Sequence, residues 1–135
     1  MRFENKYYKY YEMVTLLRAY EAEFPTLMKN EVIGHSYEGR DIYAVKLTNY
    51  LTGDDSRKPA VCIDANIHAL EVSTTSACLY FIEKVLTNYG IDEKITRAMD
   101  TRAFYLVPRI SPDGAELCLE DDPKVVRSSV RPYPY

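Results

Sequence analysis

Helical and strand periods alternate along this chain in an order that predicts an α/β fold: a mixed β-sheet flanked by helices. Three observations carry that expectation. Two runs rich in Val, Ile and Tyr are joined by a glycine-containing turn; a short apolar run leads through a turn into a long amphipathic helix; and a further apolar run comes after a second, shorter helix. The chain has 135 residues, 47% of them hydrophobic and 27% charged, which suits one globular domain or part of a larger one.

From Tyr8 to Phe24, apolar side chains at Tyr10, Val14, Leu17, Tyr20 and Phe24 recur every three or four positions, and Pro25 comes next, so an amphipathic helix is expected. Glu31–Ser36 and Asp41–Thr48 read as a β-hairpin, with Gly39 in the connection free to take a positive φ. Asn49–Lys58 is a polar surface loop. The short apolar run Ala60–Asp64 reads as a strand buried on both faces. Beyond it, Val72, Thr75, Leu79, Ile82 and Leu86 share one helical face until Gly90, and Asp92–Met99 forms a shorter helix with Ile95 and Met99 inward. Thr101–Pro108 is the last strand, and Ser111-Pro112-Asp113-Gly114 carries tight β-turn residues in favoured positions. The tail from Ala115 has no clear period. It ends in Val130-Arg131-Pro132-Tyr133-Pro134-Tyr135, aromatic and proline residues that are expected to pack on something further along, so the chain reads as a fragment.

Composition also excludes partners. With 17 basic and 20 acidic side chains the net charge is −3, which does not suit a phosphate-binding surface, and nucleic acid is not expected. No apolar run approaches the roughly 18 residues that would cross a bilayer, and the first residues lack the apolar core of a secretion signal. Cys62, Cys78 and Cys118 are widely spaced in apolar contexts and read as buried free thiols. Unpaired cysteines point to the cytoplasm, with secretion the alternative if the N-terminus is incomplete.

The chemistry is concentrated after the Ala60–Asp64 strand. His68 and Glu71 stand three apart at its carboxyl end, where open α/β sheets place their ligands, and one helical turn would let an imidazole nitrogen and a carboxylate oxygen share a zinc ion. On spacing alone a second reading stays open: His68 as a satisfied turn residue and Glu71 as a carboxylate favoured by a helix N-terminus. The other histidine, His35, lies in the hairpin and reads as a partly exposed strand residue.

Three segments then stand out together. Ile33-Gly34-His35-Ser36-Tyr37-Glu38-Gly39-Arg40-Asp41-Ile42, Ile67-His68-Ala69-Leu70-Glu71-Val72 and Val107-Pro108-Arg109-Ile110-Ser111-Pro112-Asp113-Gly114 resemble three successive signatures of the carboxypeptidase A-like zinc carboxypeptidases, in that family's order and at compatible spacings. The resemblance implies the N-terminal portion, residues 1–135, of a single catalytic domain that hydrolyses C-terminal residues of peptide substrates with zinc-activated water. It matches His68 and Glu71 to the first two metal ligands and, more loosely, Arg127 to the arginine that stabilises the oxyanion, with Arg131 and a solvated surface role as the alternatives. The family's third ligand, its general-base glutamate and the Asn-Arg pair that grips the substrate carboxylate have no counterpart here. Leu70 stands where many members carry arginine or glycine, and Asn66 and Ser111 stand where glycine and asparagine are common. A non-catalytic peptide-binding relative with the same fold is therefore the alternative function.

Overall fold

The computed structural model describes residues 2–134. Helix α1 (Tyr10–Glu23) opens where the Glu12 carboxylate accepts the Lys9 backbone N–H at 2.8 Å, closing one of the donors a helix start leaves open. Its face of Met13, Val14, Leu16, Leu17 and Tyr20 is buried, as the helical period requires, and Pro25 lies just past its last turn. Strands β1 (Met28–His35) and β2 (Asp41–Leu47) form the expected antiparallel hairpin, with Gly39 at φ +82° in the connection. β1 begins earlier than its Val/Ile content suggests. Polar Lys29 and Asn30 extend it because Asn30 is pinned to α1: its N–H and side-chain amide donate to the Glu21 carboxylate and its amide also donates to the Leu17 carbonyl.

The polar loop after β2 holds two single 3₁₀ turns, Tyr50–Thr52 and Asp55–Arg57. Strand β3 (Ala60–Asp64), helix α2 (Ser73–Asn88), helix α3 (Glu93–Thr101), strand β4 (Ala103–Val107) and helix α4 (Pro112–Cys118) complete the order. The α3 start is capped by Asp92, whose carboxylate accepts the N–H groups of Lys94 and Ile95. The sheet order is β1-β2-β4-β3, with β3 and β4 parallel and the other pairings antiparallel, which is the mixed sheet expected. Helices pack on it through Leu16, Leu17, Tyr20, Leu79, Ile82, Leu86 and Met99, which meet Met28, Val45, Leu47 and Leu106 in one core. Deleting one of these side chains to alanine costs about 2–5 kcal/mol.

Three expectations are corrected. β3 is not buried on both faces: Val61 is 46% exposed, Cys62 and Asp64 are exposed, and only Ile63 is half-buried. The reason is its place at the sheet edge, paired on one side by β4 and by no other strand among the described residues. The same edge exposes Cys62, so of the three free thiols only Cys78 is buried, its pKa pushed up to about 12 by desolvation, and Cys118 is half-buried. Finally, Ser111–Gly114 is not an isolated turn but the start of α4, with Pro112 in its first turn. A type I turn and a first helical turn share their dihedrals, and proline suits both, so the residues after Gly114 decide between them. The terminal Tyr133 is exposed, and Tyr135 lies outside the described residues.

Candidate metal centre

Parallel pairing of β3 and β4 brings their carboxyl ends side by side, so the segments that leave them meet. Ala65 N–H donates to the Val107 carbonyl, Ile110 N–H to the Ala65 carbonyl and Ser111 N–H to the Asn66 carbonyl, each at 2.9–3.1 Å. The Ser111 hydroxyl adds a 2.6 Å bond to the Ile67 carbonyl. Residues 65–72 thereby become a fixed turn on top of the strand ends, ahead of α2.

Within that turn Glu71 N–H donates to the His68 carbonyl at 3.0 Å, a tight reversal that puts both side chains on one side. His68 Nδ1 lies 3.0 Å from Glu71 Oε1, with the two side chains 33% and 46% exposed. The contact as it stands is an imidazole–carboxylate hydrogen bond. The same two atoms are separated much as donors on one tetrahedral zinc ion would be, about 3.4 Å apart at ordinary bond lengths, so this N,O pair fits two corners of a zinc shell. Among the described residues no third His, Cys, Asp or Glu joins them. The pair sits in the turn before α2 rather than on its first turn, so the three-residue spacing works through a local reversal and not through the helix.

Arg127 reaches the same place by its backbone: its carbonyl accepts the Ala69 N–H at 3.0 Å, between the two paired residues, while its side chain is exposed. Arg131 N–H is bonded instead to the Ser129 hydroxyl. Leu70 is 42% exposed beside the pair. His35 is an exposed strand residue whose Nδ1 lies 2.9 Å from Asp41 Oδ1, its register partner across the hairpin.

The support beneath the turn is where sequence reasoning assigned no part in the site. Ala69 is fully buried against Gly114 of α4, where a Cβ would stand 2.6 Å from the Ala69 Cβ and 3.1 Å from Val126, so only glycine lets α4 approach this closely. Asp113, 5% exposed, accepts from the Ser36 hydroxyl at 2.7 Å, the Glu38 N–H at 3.0 Å and Arg40 Nη1 at 2.7 Å, tying the hairpin connection to α4. Burial pushes this carboxyl upward, but those three donors outweigh it and hold the pKa below the usual carboxylate range. Arg109 is 1% exposed; its guanidinium donates to the Tyr8 carbonyl at 2.7 Å and lies 3.4 Å from Glu116 Oε1. Desolvation lowers its pKa to about 10, with Glu116 opposing. All three lie in segments that the family resemblance singles out, which is the only signal that could have marked them.

No helix among the described residues is long and apolar enough to cross a membrane. Comparison with known proteins places the chain in a family. The chain is 32% identical over 110 residues to a zinc carboxypeptidase of Saccharothrix mutabilis subsp. capreolus and 36% identical over 108 residues to human carboxypeptidase A1, covering 82% and 80% of this chain but 25% of each relative. It therefore spans about a quarter of the length of the curated relatives it matches. Its fold superposes on thrombin-activatable fibrinolysis inhibitor with a TM-score of 0.85 and on the carboxypeptidase A of Helicoverpa armigera with 0.80, each at 25% identity, over 96% of this chain and 31% of theirs. The family model described as zinc carboxypeptidase matches residues 13–131, nearly the whole sequence, and on that extent this chain belongs to the zinc carboxypeptidase family.

Proposed function

We propose that this chain is the N-terminal portion of a catalytic domain that removes C-terminal residues from peptides, and that His68 and Glu71 supply two ligands of its zinc ion. The observation that carries the reading is the 3.0 Å approach of His68 Nδ1 to Glu71 Oε1 at the carboxyl end of the parallel strand pair. When bound, zinc would acidify a water from a pKa near 16 to about 7 and polarise the scissile carbonyl. The chain's own residues orient that chemistry: the 3.0 Å approach of Glu71 Oε1 holds the His68 ring toward it before metal binds, the turn's backbone bonds, including that from Ala69 N–H to the Arg127 carbonyl, keep both donors on one side, and the exposed Arg127 side chain is the cation for a developing oxyanion. Leu70 offers an apolar wall beside the pair. Three cysteines without a disulfide favour a reducing compartment such as the cytoplasm.

Leu70 also supports a second reading, a peptide-binding relative without catalysis, because it places no substrate-gripping charge beside the metal pair. One experiment separates the two. Zinc is titrated into the 135-residue chain and its His68→Ala and Glu71→Gln variants, and release of C-terminal amino acids from a peptide panel is assayed for this chain and for a longer one that adds the downstream sequence. Loose zinc binding lost in both variants, with turnover by the longer chain only, supports the enzyme. Zinc binding without turnover by the longer chain supports the binding module. Zinc affinity unchanged by His68→Ala sinks the ligand assignment.

A further inference from the structure

Asn66 sits one residue inside the turn that carries His68 and Glu71, and it is unusual in two ways at once. Its φ is +54°, the only positive value at a non-glycine residue among the described residues, and it is 1% exposed. Asparagine tolerates this left-handed conformation better than most side chains, but glycine tolerates it best, so backbone demand alone does not explain an asparagine here. The side chain does. Both of its amide N–H groups are used, one donating to the His68 carbonyl at 2.8 Å and the other to the Ala69 carbonyl at 3.1 Å, and its Oδ1 accepts from the Thr75 hydroxyl at 3.3 Å. Its backbone is held as firmly: the N–H donates to Thr74 Oγ1 at 2.9 Å and the carbonyl accepts from Ser111 N–H at 3.0 Å.

We propose that Asn66 is a positioning residue, whose side-chain amide holds the turn that presents His68 and Glu71 as a pair. Two successive carbonyls, those of His68 and Ala69, are drawn inward to one buried amide. That fixes the peptide planes on both sides of Ala69 and leaves the His68 and Glu71 side chains on the opposite, solvent-facing side, where both are part-exposed. Thr74 extends the clamp, since the hydroxyl that accepts from Asn66 N–H also donates to the Glu71 carbonyl at 2.7 Å. The consequence for metal affinity rests on the zinc-ligand reading above; the conformational role does not.

The test compares Asn66→Gly with Asn66→Ala in the 135-residue chain. Glycine keeps the backbone conformation and removes only the amide, whereas alanine also strains φ. Three quantities are read: the melting temperature, the exchange rate of the Glu71 amide proton without metal, and the affinity for zinc alone. The expected result for Asn66→Gly is a melting temperature within a few degrees of wild type, Glu71 exchange about tenfold faster, and zinc binding about tenfold weaker, in the range seen when groups that orient metal ligands are removed. A purely structural role predicts lowered melting temperatures, most in Asn66→Ala, with zinc affinity of the folded protein unmoved; that outcome overturns the proposal. So does loss of cooperative unfolding in Asn66→Gly, which would make the amide a folding determinant. If His68→Ala leaves zinc affinity unchanged, the ligand reading fails, and Glu71 exchange alone decides the role of Asn66.

Discussion

Two carboxylates at the top of this sheet are treated in opposite ways. Asp113 is buried and all but surrounded by donors, from the Ser36 hydroxyl, the Glu38 N–H and the Arg40 guanidinium. Glu71, a short distance along the same assembly of loops, is 46% exposed at its side chain and has His68 Nδ1 as its contact. The difference matches a structural role for Asp113 and the ligand role proposed for Glu71. A structural carboxylate is worth most when every lone pair is used and solvent is excluded, whereas a ligand must keep lone pairs available and must be reachable. The backbone around Glu71 is nonetheless as tightly bonded as that around Asp113, through Thr74, Ser111 and Arg127. Rigidity has been put in the main chain and freedom left at the side-chain tips.

The largest effect that would break this contrast is at the buried acid. Asp113→Ala should destabilise the chain by about 3 kcal/mol, because it strips the hairpin connection of its anchor, leaves the Ser36 hydroxyl and the Glu38 N–H without their acceptor, and leaves Arg40 paired with Glu38 alone. Urea unfolding measures it, and a loss below about 1 kcal/mol would show that the clamp is redundant. Gly114→Ala comes next, at about 1–3 kcal/mol, since its Cβ would collide with Ala69 at 2.6 Å. Unlike the Asp113 change it should also disturb the His68–Glu71 pair, because Ala69 lies between them, so zinc affinity is expected to fall with stability.

A smaller effect is the pH dependence of the same clamp. The folded pKa of Asp113 lies below its unfolded value of about 3.9, so its contribution is present in full above that value and is lost as pH falls through the folded pKa. Stability measured from pH 6 down to pH 2 should drop less steeply at the acid end in Asp113→Asn than in wild type. Equal slopes would place the acid sensitivity elsewhere. The smallest effect is expected at the candidate ligands themselves: His68→Ala and Glu71→Gln should shift stability by no more than about 0.5 kcal/mol, as a part-exposed hydrogen-bonded pair allows, while abolishing what zinc binding the chain has. A loss of about 2 kcal/mol in either would make the pair structural and would blur the comparison with Asp113.

The periodic elements are legible in the sequence because their signal is local. The spacing of Val14, Leu17 and Tyr20 specifies a buried helical face wherever the helix packs, Gly39 marks the hairpin connection, and the spacing of His68 and Glu71 after an apolar run raises them as candidates while leaving a structural reading open. What the run Ala60–Asp64 cannot show is which strand it will lie beside. Its apolar residues fit a central strand, and the pairing that leaves it on the edge among the described residues, with Cys62 in solvent, is a property of the sheet and not of the segment. Ser111–Gly114 is ambiguous for a related reason, since proline and the first dihedrals suit a turn and a helix alike and the continuation is settled by packing on Ala69. The supports of the candidate site are hidden most deeply. Asn66, Arg109 and Asp113 are polar residues of kinds that mostly lie at the surface, and each is buried because partners up to 101 positions away converge on it. Identity and spacing announce a pair of donors, but only the folded chain, by bringing distant hydrogen-bond partners to one turn, decides where those donors point.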